Sequence, residues 1–171
     1  FANEISMISS NFEVDVNEII RLSNCHPRVE ILQPSCGVGG HCIAVDPWFI
    51  ASAVPTMSDL IQTARKVNLN KTNWVTEEIL NRAKKLEDQL GRKIDIGVLG
   101  ISFKPNIDDL RESPALFIVN QLKKQNINLM VCEPNINSIE DINLVSIDKI
   151  CKDSDLLVAL VSHNQFKEID L

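Results

Sequence analysis

Three short apolar runs, separated by helical segments, constrain the fold of residues 93–171 more than any other feature of the sequence. Each run has the length of a buried strand, and the three runs occupy residues 94–99, 127–132 and 156–161. Ser113 followed by Pro114 predicts the start of a helix that continues to about Lys124. Strands that alternate with helices at this spacing are typical of a parallel, Rossmann-like sheet, so the predicted fold class is α/β.

Residues 58–90 form the longest segment with helical periodicity. Its apolar residues form one stripe, Ser58 could cap its start, and Gly91 stands where helices often end in a left-handed residue. A helix of this length is unusual inside one globular domain, so we expect it to pack against a second copy of the chain or to span two domains. We therefore divide the chain into a helical region, 1–91, and a sheet domain, 92–171.

Further helices are predicted on both sides of this segment. Residues 1–25 form two of them, and the second begins at Asp15, with Glu18 three residues later in a capping arrangement. Residues 147–152 form a short helix before the last strand. Residues 26–47 contain helix-breaking prolines and glycines and are predicted to be a loop.

Composition and charge exclude several classes of protein. A net charge of −6 is unlike that of proteins that bind nucleic-acid duplexes. No apolar run approaches the roughly 18 residues of a membrane span, so we expect no contact with a membrane. Five cysteines at irregular spacing argue against a secreted disulfide framework and favour a reducing, cytoplasmic compartment. The chain begins without Met or a signal peptide, and we expect both of its ends to be cut from a longer chain.

The most informative stretch is the glycine-rich segment 36–47. Its three glycines let the backbone approach a ligand closely, and Cys42 follows this turn. A cysteine in such a place can be exposed and surrounded by N–H groups that favour the thiolate, so Cys42 is a candidate nucleophile. The alternative is a tight turn with a buried, structural cysteine. Asp46 could order a water beside the thiol or only cap the turn that it forms with Pro47.

Two other uses of this stretch are disfavoured. His41 and Cys42 are adjacent, and adjacent side chains do not face each other on a strand or a helix, so they make a poor catalytic dyad. The cysteines and histidines nearby lack the CxxC or HxxxH spacing of structural zinc. We predict no metal site.

A second candidate stretch, 100–114, lies between the first predicted strand and the following helix. Open α/β sheets bind ligands at this edge, and a helix N-terminus attracts phosphate. Lys104 and Arg111 are cations suited to a diphosphate. The residues 97–100, Gly-Val-Leu-Gly, do not form a G-x-G-x-x-G fingerprint, so the usual dinucleotide turn is missing. The alternative interpretation is a solvated, charged loop.

Together and in this order, these stretches resemble the nucleotide-sugar 6-dehydrogenase family, which contains UDP-glucose and GDP-mannose dehydrogenases. The likeness is carried by residues 1–4, 26–29, 31–34, 37–49, 103–114, 131–135 and 162–166. It covers essentially the whole chain. Within the family, it is greatest to the branch that acts on an N-acetylmannosamine nucleotide.

The resemblance implies a three-part architecture: an N-terminal NAD-binding Rossmann domain, a central helical dimerisation region and a C-terminal domain that binds the nucleotide. This chain resembles the second and third parts, and we expect the N-terminal NAD-binding domain to be absent. Family members oxidise the C6 alcohol of a nucleotide sugar twice, with two NAD⁺, to a uronate that feeds surface polysaccharide. The expected partners are a UDP-sugar, NAD and a second copy bound through helix 58–90.

The same resemblance assigns roles to individual residues. Cys42 matches the nucleophile that attacks the C6 aldehyde, giving a thiohemiacetal and then a thioester, and Asp46 matches an aspartate that assists water or the oxyanion. Arg111 matches an arginine that contacts NAD. Arg28 is commonly lent by the neighbouring subunit. The positions that match substrate-binding residues are His26, Arg28, Gly39, Phe103 and Lys104.

The chain also departs from the family's pattern. The family's catalytic lysine and asparagine lie just upstream of Phe1, and a late substrate-binding lysine lies beyond Leu171. Ser35-Cys36 stands where relatives usually have Gly-Pro. We therefore expect the isolated chain to have no dehydrogenase activity. The alternatives are a non-catalytic, dimerising module that binds a nucleotide sugar, or a dehydrogenase for another UDP-sugar such as UDP-glucose.

Overall fold

The computed structural model describes residues 1–169 as a group of helices followed by a small α/β sheet. The helices are α1 (Ala2–Asn11), α2 (Val16–Ser23), α3 (Asp46–Ala53), α4 (Asp59–Leu90), α5 (Pro114–Lys123) and α6 (Ile147–Asp153). The strands are β1 (Asp95–Leu99), β2 (Asn128–Cys132) and β3 (Leu156–Ala159). Short 3₁₀ turns cover Pro55–Met57 and Asn164–Phe166.

The sheet is parallel, with β1 between β2 and β3, which confirms the predicted fold class. Leu99 at the end of β1 pairs with Cys132 on one side and Ala159 on the other, so the three carboxyl ends meet at one edge. The central strand and α5 supply most of the fully buried core, and the C-terminal half of α4 packs onto it through Ile79 and Ala83. The sheet therefore needs α4 as part of its own core.

Most of the predicted helix ends are confirmed. The Ser113 hydroxyl accepts a hydrogen bond from the Leu116 N–H at 3.2 Å at the start of α5, and Gly91 ends α4 with φ 66°. Asp15 caps α2. Glu18 does not complete that cap, because its carboxylate binds Arg21 at 2.7 Å instead.

The N-terminal half of α4 differs from the expected apolar stripe. Its buried side chains there are polar, whereas Leu60 remains 82% exposed. The reason is the surface that faces it, since the buried residues of α1 are also polar: Asn3, Ser6 and Ser9. The two helices bind by hydrogen bonds, such as Lys71 Nζ to the Ser6 hydroxyl at 2.9 Å.

Helix α3 was not expected from the sequence, which indicated only a turn at Asp46-Pro47. Pro47 lies in the first turn of α3, where its missing N–H costs nothing. The division of the chain at residue 91 stays a prediction. No helix within residues 1–169 has the length and apolarity needed to cross a bilayer.

Candidate functional site

The two candidate stretches lie directly against each other. The Gly40 N–H donates to the Arg111 carbonyl at 3.2 Å. A Cβ built on Gly39 would lie 2.3 Å from the Glu112 carbonyl oxygen, and one on Gly40 would lie 2.9 Å from the Phe103 ring. Glycines are therefore required for this close approach. The fold brings the cysteine-bearing loop and the loop after β1 into one site.

Buried polar side chains beneath the glycine loop fix its position. The Asn68 side chain accepts from the Val38 N–H at 2.8 Å and donates to the Val38 carbonyl at 3.2 Å. Asn3 donates to Asn68 and accepts from the Ser35 N–H at 2.8 Å. Sequence reasoning missed both asparagines. Each lies on a predicted helix, and no local sequence pattern distinguishes it from the other polar residues of that helix.

Cys42 begins the turn that leads into α3. Its carbonyl accepts from the N–H groups of Val45 and Asp46, at 2.9 and 2.8 Å, and its side chain is exposed. Cys42 and Asp46 line one cavity of about 810 Å³, together with the buried Arg65. The structure thus places the predicted nucleophile and the predicted aspartate on the same cavity.

The other cysteines differ in exposure and acidity. Burial raises the pKa of Cys36 to about 11, and burial with help from the nearby Glu133 raises that of Cys132 to about 11. Cys151 is half-buried. Cys25 is exposed like Cys42, but its Sγ lies 3.4 Å from the Arg21 carbonyl at the end of α2.

Arg111 is bound to Asp109 on the loop after β1. Its guanidinium donates to the Asp109 carboxylate at 2.6 and 3.0 Å, and its own N–H donates at 2.9 Å. These bonds lower the pKa of Asp109 to about 2, and His41 contributes slightly. The pKa of Arg111 is raised, chiefly by its hydrogen bond to Asp109. The pair therefore fixes an exposed guanidinium on this loop.

Phe103 and Lys104 form the outer part of the loop after β1. The Phe103 N–H donates to the Asp109 carbonyl at 3.1 Å, and the Ser102 hydroxyl donates to the Lys104 carbonyl at 2.9 Å. The ammonium of Lys104 is exposed, 5.6 Å from the centre of the Phe103 ring. The loop thus presents a half-buried ring and an exposed cation next to the glycine turn.

His26 and Arg28 are not brought to this site. Both are exposed on the loop after α2, where the His26 Nδ1 accepts from the Arg28 N–H at 3.2 Å. Neither lines the Cys42 cavity. Their predicted roles in substrate binding, including the loan of Arg28 to a second subunit, stay predictions.

The turn after β1 lacks the G-x-G-x-x-G pattern of a dinucleotide turn. Gly100 has φ 81°, and a Cβ there would lie 2.6 Å from the Val161 side chain, so this position needs glycine. Helix α5 begins only at Pro114. The contact of Arg111 to NAD stays a prediction. Residues 1–169 hold no group of three metal-binding side chains.

Two family models match the chain. The central domain of the UDP-glucose/GDP-mannose dehydrogenase family matches residues 1–70, and the UDP-binding domain of that family matches residues 97–171. Among curated proteins, a UDP-N-acetyl-D-mannosamine dehydrogenase from Campylobacter jejuni is 48% identical over 99% of this chain. An NDP-N-acetyl-D-galactosaminuronic acid dehydrogenase from Ralstonia solanacearum is 45% identical, also over 99%. The chain spans 42% and 40% of the lengths of these two relatives.

Solved structures agree with this match. The UDP-N-acetyl-mannosamine dehydrogenase of Staphylococcus aureus has a TM-score of 0.85 and 34% identity, over 99% of this chain and 39% of that protein. A UDP-N-acetyl-mannosamine dehydrogenase from Pyrococcus horikoshii has a TM-score of 0.84 and 31% identity over the same shares. Sequence identity and structural similarity therefore both give UDP-N-acetylmannosamine dehydrogenases as relatives of this chain.

Proposed function

This chain belongs to the UDP-glucose/GDP-mannose dehydrogenase family, of which it carries the central and UDP-binding domains, and on this premise we propose that it forms part of an NAD-dependent UDP-sugar 6-dehydrogenase. The proposed reaction oxidises UDP-N-acetyl-D-mannosamine to UDP-N-acetyl-D-mannosaminuronate. The observation that supports it most is the direct packing of the glycine loop, which exposes Cys42, on the loop that carries Phe103 and Lys104.

In this proposal Cys42 is the nucleophile. Its thiolate adds to the C6 aldehyde of the sugar to give a thiohemiacetal, and oxidation of that adduct leaves a thioester. Asp46, on the same cavity wall, takes a proton from the water that hydrolyses the thioester to the uronate. NAD⁺, when bound, accepts the hydride of each oxidation. Arg111 is the residue of this chain that we propose to contact it.

The neighbouring loop binds the nucleotide. The Lys104 ammonium is exposed and has no carboxylate within 4 Å among the described residues, so it is available for the diphosphate. Phe103 contributes an apolar surface beside it, and Gly39 brings the backbone within reach of the sugar. His26 and Arg28 would act in the site of a second copy, a role that fits their exposure and their absence from the lining of the Cys42 cavity in their own chain.

Dimerisation and cellular role complete the proposal. The exposed apolar residues at the start of α4, on α3 and in the 3₁₀ turn between them, among them Leu60, Phe49 and Met57, form the surface through which we expect two copies to bind. We place the protein in the cytoplasm, in the synthesis of a surface polysaccharide. The sugar is proposed from the Campylobacter relative, and the Ralstonia relative makes the N-acetylgalactosamine nucleotide the competing substrate.

Protection from alkylation tests the proposal. The chain is treated briefly with iodoacetamide, with and without UDP-N-acetyl-D-mannosamine, and the modified cysteines are identified by peptide mass. The nucleotide sugar is expected to slow alkylation of Cys42 and to leave that of Cys151 unchanged. Cys151 is half-buried on α6 and does not line the Cys42 cavity, which makes it the internal control. UDP-N-acetyl-D-galactosamine, UDP-glucose and GDP-mannose are compared at the same concentration. Equal alkylation of Cys42 in all samples would contradict the proposed substrate site.

Activity distinguishes the enzyme from a binding module. With UDP-N-acetyl-D-mannosamine and NAD⁺, the isolated chain is expected to produce no NADH, because Arg111 is its single proposed contact to NAD. Protection of Cys42 without turnover would fit a chain that binds the nucleotide sugar and needs further residues for oxidation. Turnover within about tenfold of a full-length relative would refute the expected inactivity.

A further inference from the structure

A buried histidine and a buried glutamate, which the proposed chemistry does not use, lie behind the nucleotide-binding loop. His163 and Glu133 are 0% and 3% exposed, and the His163 Nε2 lies 3.0 Å from the Glu133 Oε2. The His163 Nδ1 accepts from the backbone N–H of Asn106 at 2.9 Å and from the side-chain amide of Asn135 at 2.9 Å. Because Nδ1 is an acceptor, the ring proton is on Nε2 and is donated to Glu133.

Glu133 uses its remaining acceptor capacity on backbone. Its Oε2 also accepts from the N–H groups of Ile101 and Ser102, at 2.9 and 3.2 Å. Its Oε1 accepts from the Asn135 N–H at 3.1 Å. The carboxylate therefore joins the end of β1 to the turn after β2.

The bonds of this pair fall on both sides of Phe103 and Lys104. Ser102, on one side, is held by Glu133, and its hydroxyl donates to the Lys104 carbonyl at 2.9 Å. Asn106, on the other side, is held by His163 and adopts φ 61°, a conformation that disfavours most side chains. One buried pair thus fixes both ends of a loop whose middle residues face outward.

A pair of this kind is not needed for stability alone. Burying a carboxylate and an imidazole costs free energy, and apolar residues of similar volume usually serve a core equally well. Here the polar atoms of the pair hydrogen-bond to the backbone of one loop. These bonds determine the positions of the side chains of that loop.

We propose that His163 and Glu133 are positioning residues that hold Phe103 and Lys104 for a nucleoside diphosphate. The inference rests on the proposed function in so far as the loop is taken to bind UDP. Neither residue touches the nucleotide. They act by keeping the loop in one conformation before the ligand arrives, which removes the cost of ordering it on binding.

Two substitutions at His163 separate its two contacts. In His163→Gln the side-chain amide reaches the place of Nε2, so the donor to Glu133 is kept and the acceptor for the Asn106 N–H is lost. In His163→Asn the amide lies at the place of Nδ1, so that acceptor is restored and the contact to Glu133 is lost. Ile118→Val is the control. Ile118 lies on α5, is fully buried in the main apolar core and is not part of the loop, so this substitution should change stability alone.

The measurements are the UDP dissociation constant by calorimetry and the unfolding midpoint in urea. We expect His163→Gln to bind UDP about tenfold more weakly, the equivalent of about 1.4 kcal/mol. His163→Asn is expected to recover most of the affinity, and Ile118→Val to keep it within about twofold while losing stability. Affinity that follows the unfolding midpoint across all three variants would overturn the positioning role. No UDP binding by the unsubstituted chain would overturn the proposed function together with the inference.

A spectroscopic measurement on the unsubstituted chain tests the inference even where the variants fail to fold. The ring nitrogens of ¹⁵N-labelled His163 are expected to show the tautomer with the proton on Nε2, both without UDP and at saturating UDP. A proton on Nδ1, or a tautomer that changes when UDP is added, would contradict the inference.

Discussion

Gly39 lies so close to Glu112 that a Cβ at position 39 would be 2.3 Å from the Glu112 carbonyl oxygen. This contact is between backbone atoms on both sides, so neither partner can rotate away as a side chain would. The glycine loop and the loop after β1 must therefore move together. This contact joins the backbone that carries Cys42 to the backbone that carries Lys104.

We expect Gly39→Ala to break that contact. Overpacking of this kind costs about 1–3 kcal/mol of unfolding free energy, and the glycine loop should shift, which changes the alkylation rate of Cys42. Gly91→Ala is the control, since Gly91 has φ 66° but nothing within 4 Å of a new Cβ. It should cost about 1–2 kcal/mol for the left-handed conformation alone and leave Cys42 unchanged. Urea unfolding and peptide mapping measure the two effects, and equal effects on Cys42 would show that the contact is unimportant.

Four of the five cysteines are expected to react with iodoacetamide in two groups. A thiol with a pKa of about 11, as at Cys36 and Cys132, is about one part in a thousand thiolate at pH 8. Both are also shielded, so they should react far more slowly than the exposed Cys42 and Cys25. Raising the pH to 9 should increase the reaction of Cys132 about tenfold if it is accessible at all. Modification of Cys132 before Cys42 at pH 8 would contradict the assignment of the nucleophile.

Acid should weaken the loop after β1 through Asp109. Its pKa is lowered from 3.8 to about 2 by Arg111. A lowered folded-state pKa means that the carboxylate stabilises the fold fully above about pH 4, and that this contribution disappears as the pH falls through about 2. Asp109→Asn should therefore lower the urea midpoint at pH 7 and match the unsubstituted chain near pH 2. Arg111→Gln removes the same pair from the other side and should lower the midpoint with the same dependence on pH as Asp109→Asn. A loss of stability in acid that persists unchanged in Arg111→Gln would rule out the Arg111 pair as its source.

The mass of the chain in solution should be that of two copies. Leu60 is 82% exposed at the start of α4, and Leu60→Lys should shift light scattering at micromolar concentration towards one copy, because a lysine in an apolar interface must give up its hydration. Gln89→Lys adds the same charge at the other end of α4 and should leave the mass unchanged. A single-copy mass for the unsubstituted chain would mean that Arg28 has no second subunit to act in.

Local sequence signals were enough to predict the sheet and most helix ends. Ser113-Pro114 and Gly91, for example, act through hydrogen bonds to residues only a few positions away. Helical periodicity locates apolar side chains but does not say which face is covered. In the N-terminal half of α4 the covered face is polar, so Asn68 was overlooked, as was its partner Asn3. The packing of Gly39 on the later loop depends on residues more than 70 positions apart, and short-range patterns carry no information on such contacts.

The continuity of α4 has a consequence for the way that this protein can change in evolution. The helix has 32 residues, about 48 Å at about 1.5 Å each. Thr72 and Asn68 bond the glycine loop, and Ile79 and Ala83 enter the core of the sheet, all from one unbroken rod. Inserting a single residue between Thr76 and Ile79 would rotate the far half by about 100°, and the sheet would lose its place against the loop. Length changes in α4 should therefore be tolerated only in steps that restore the helical phase.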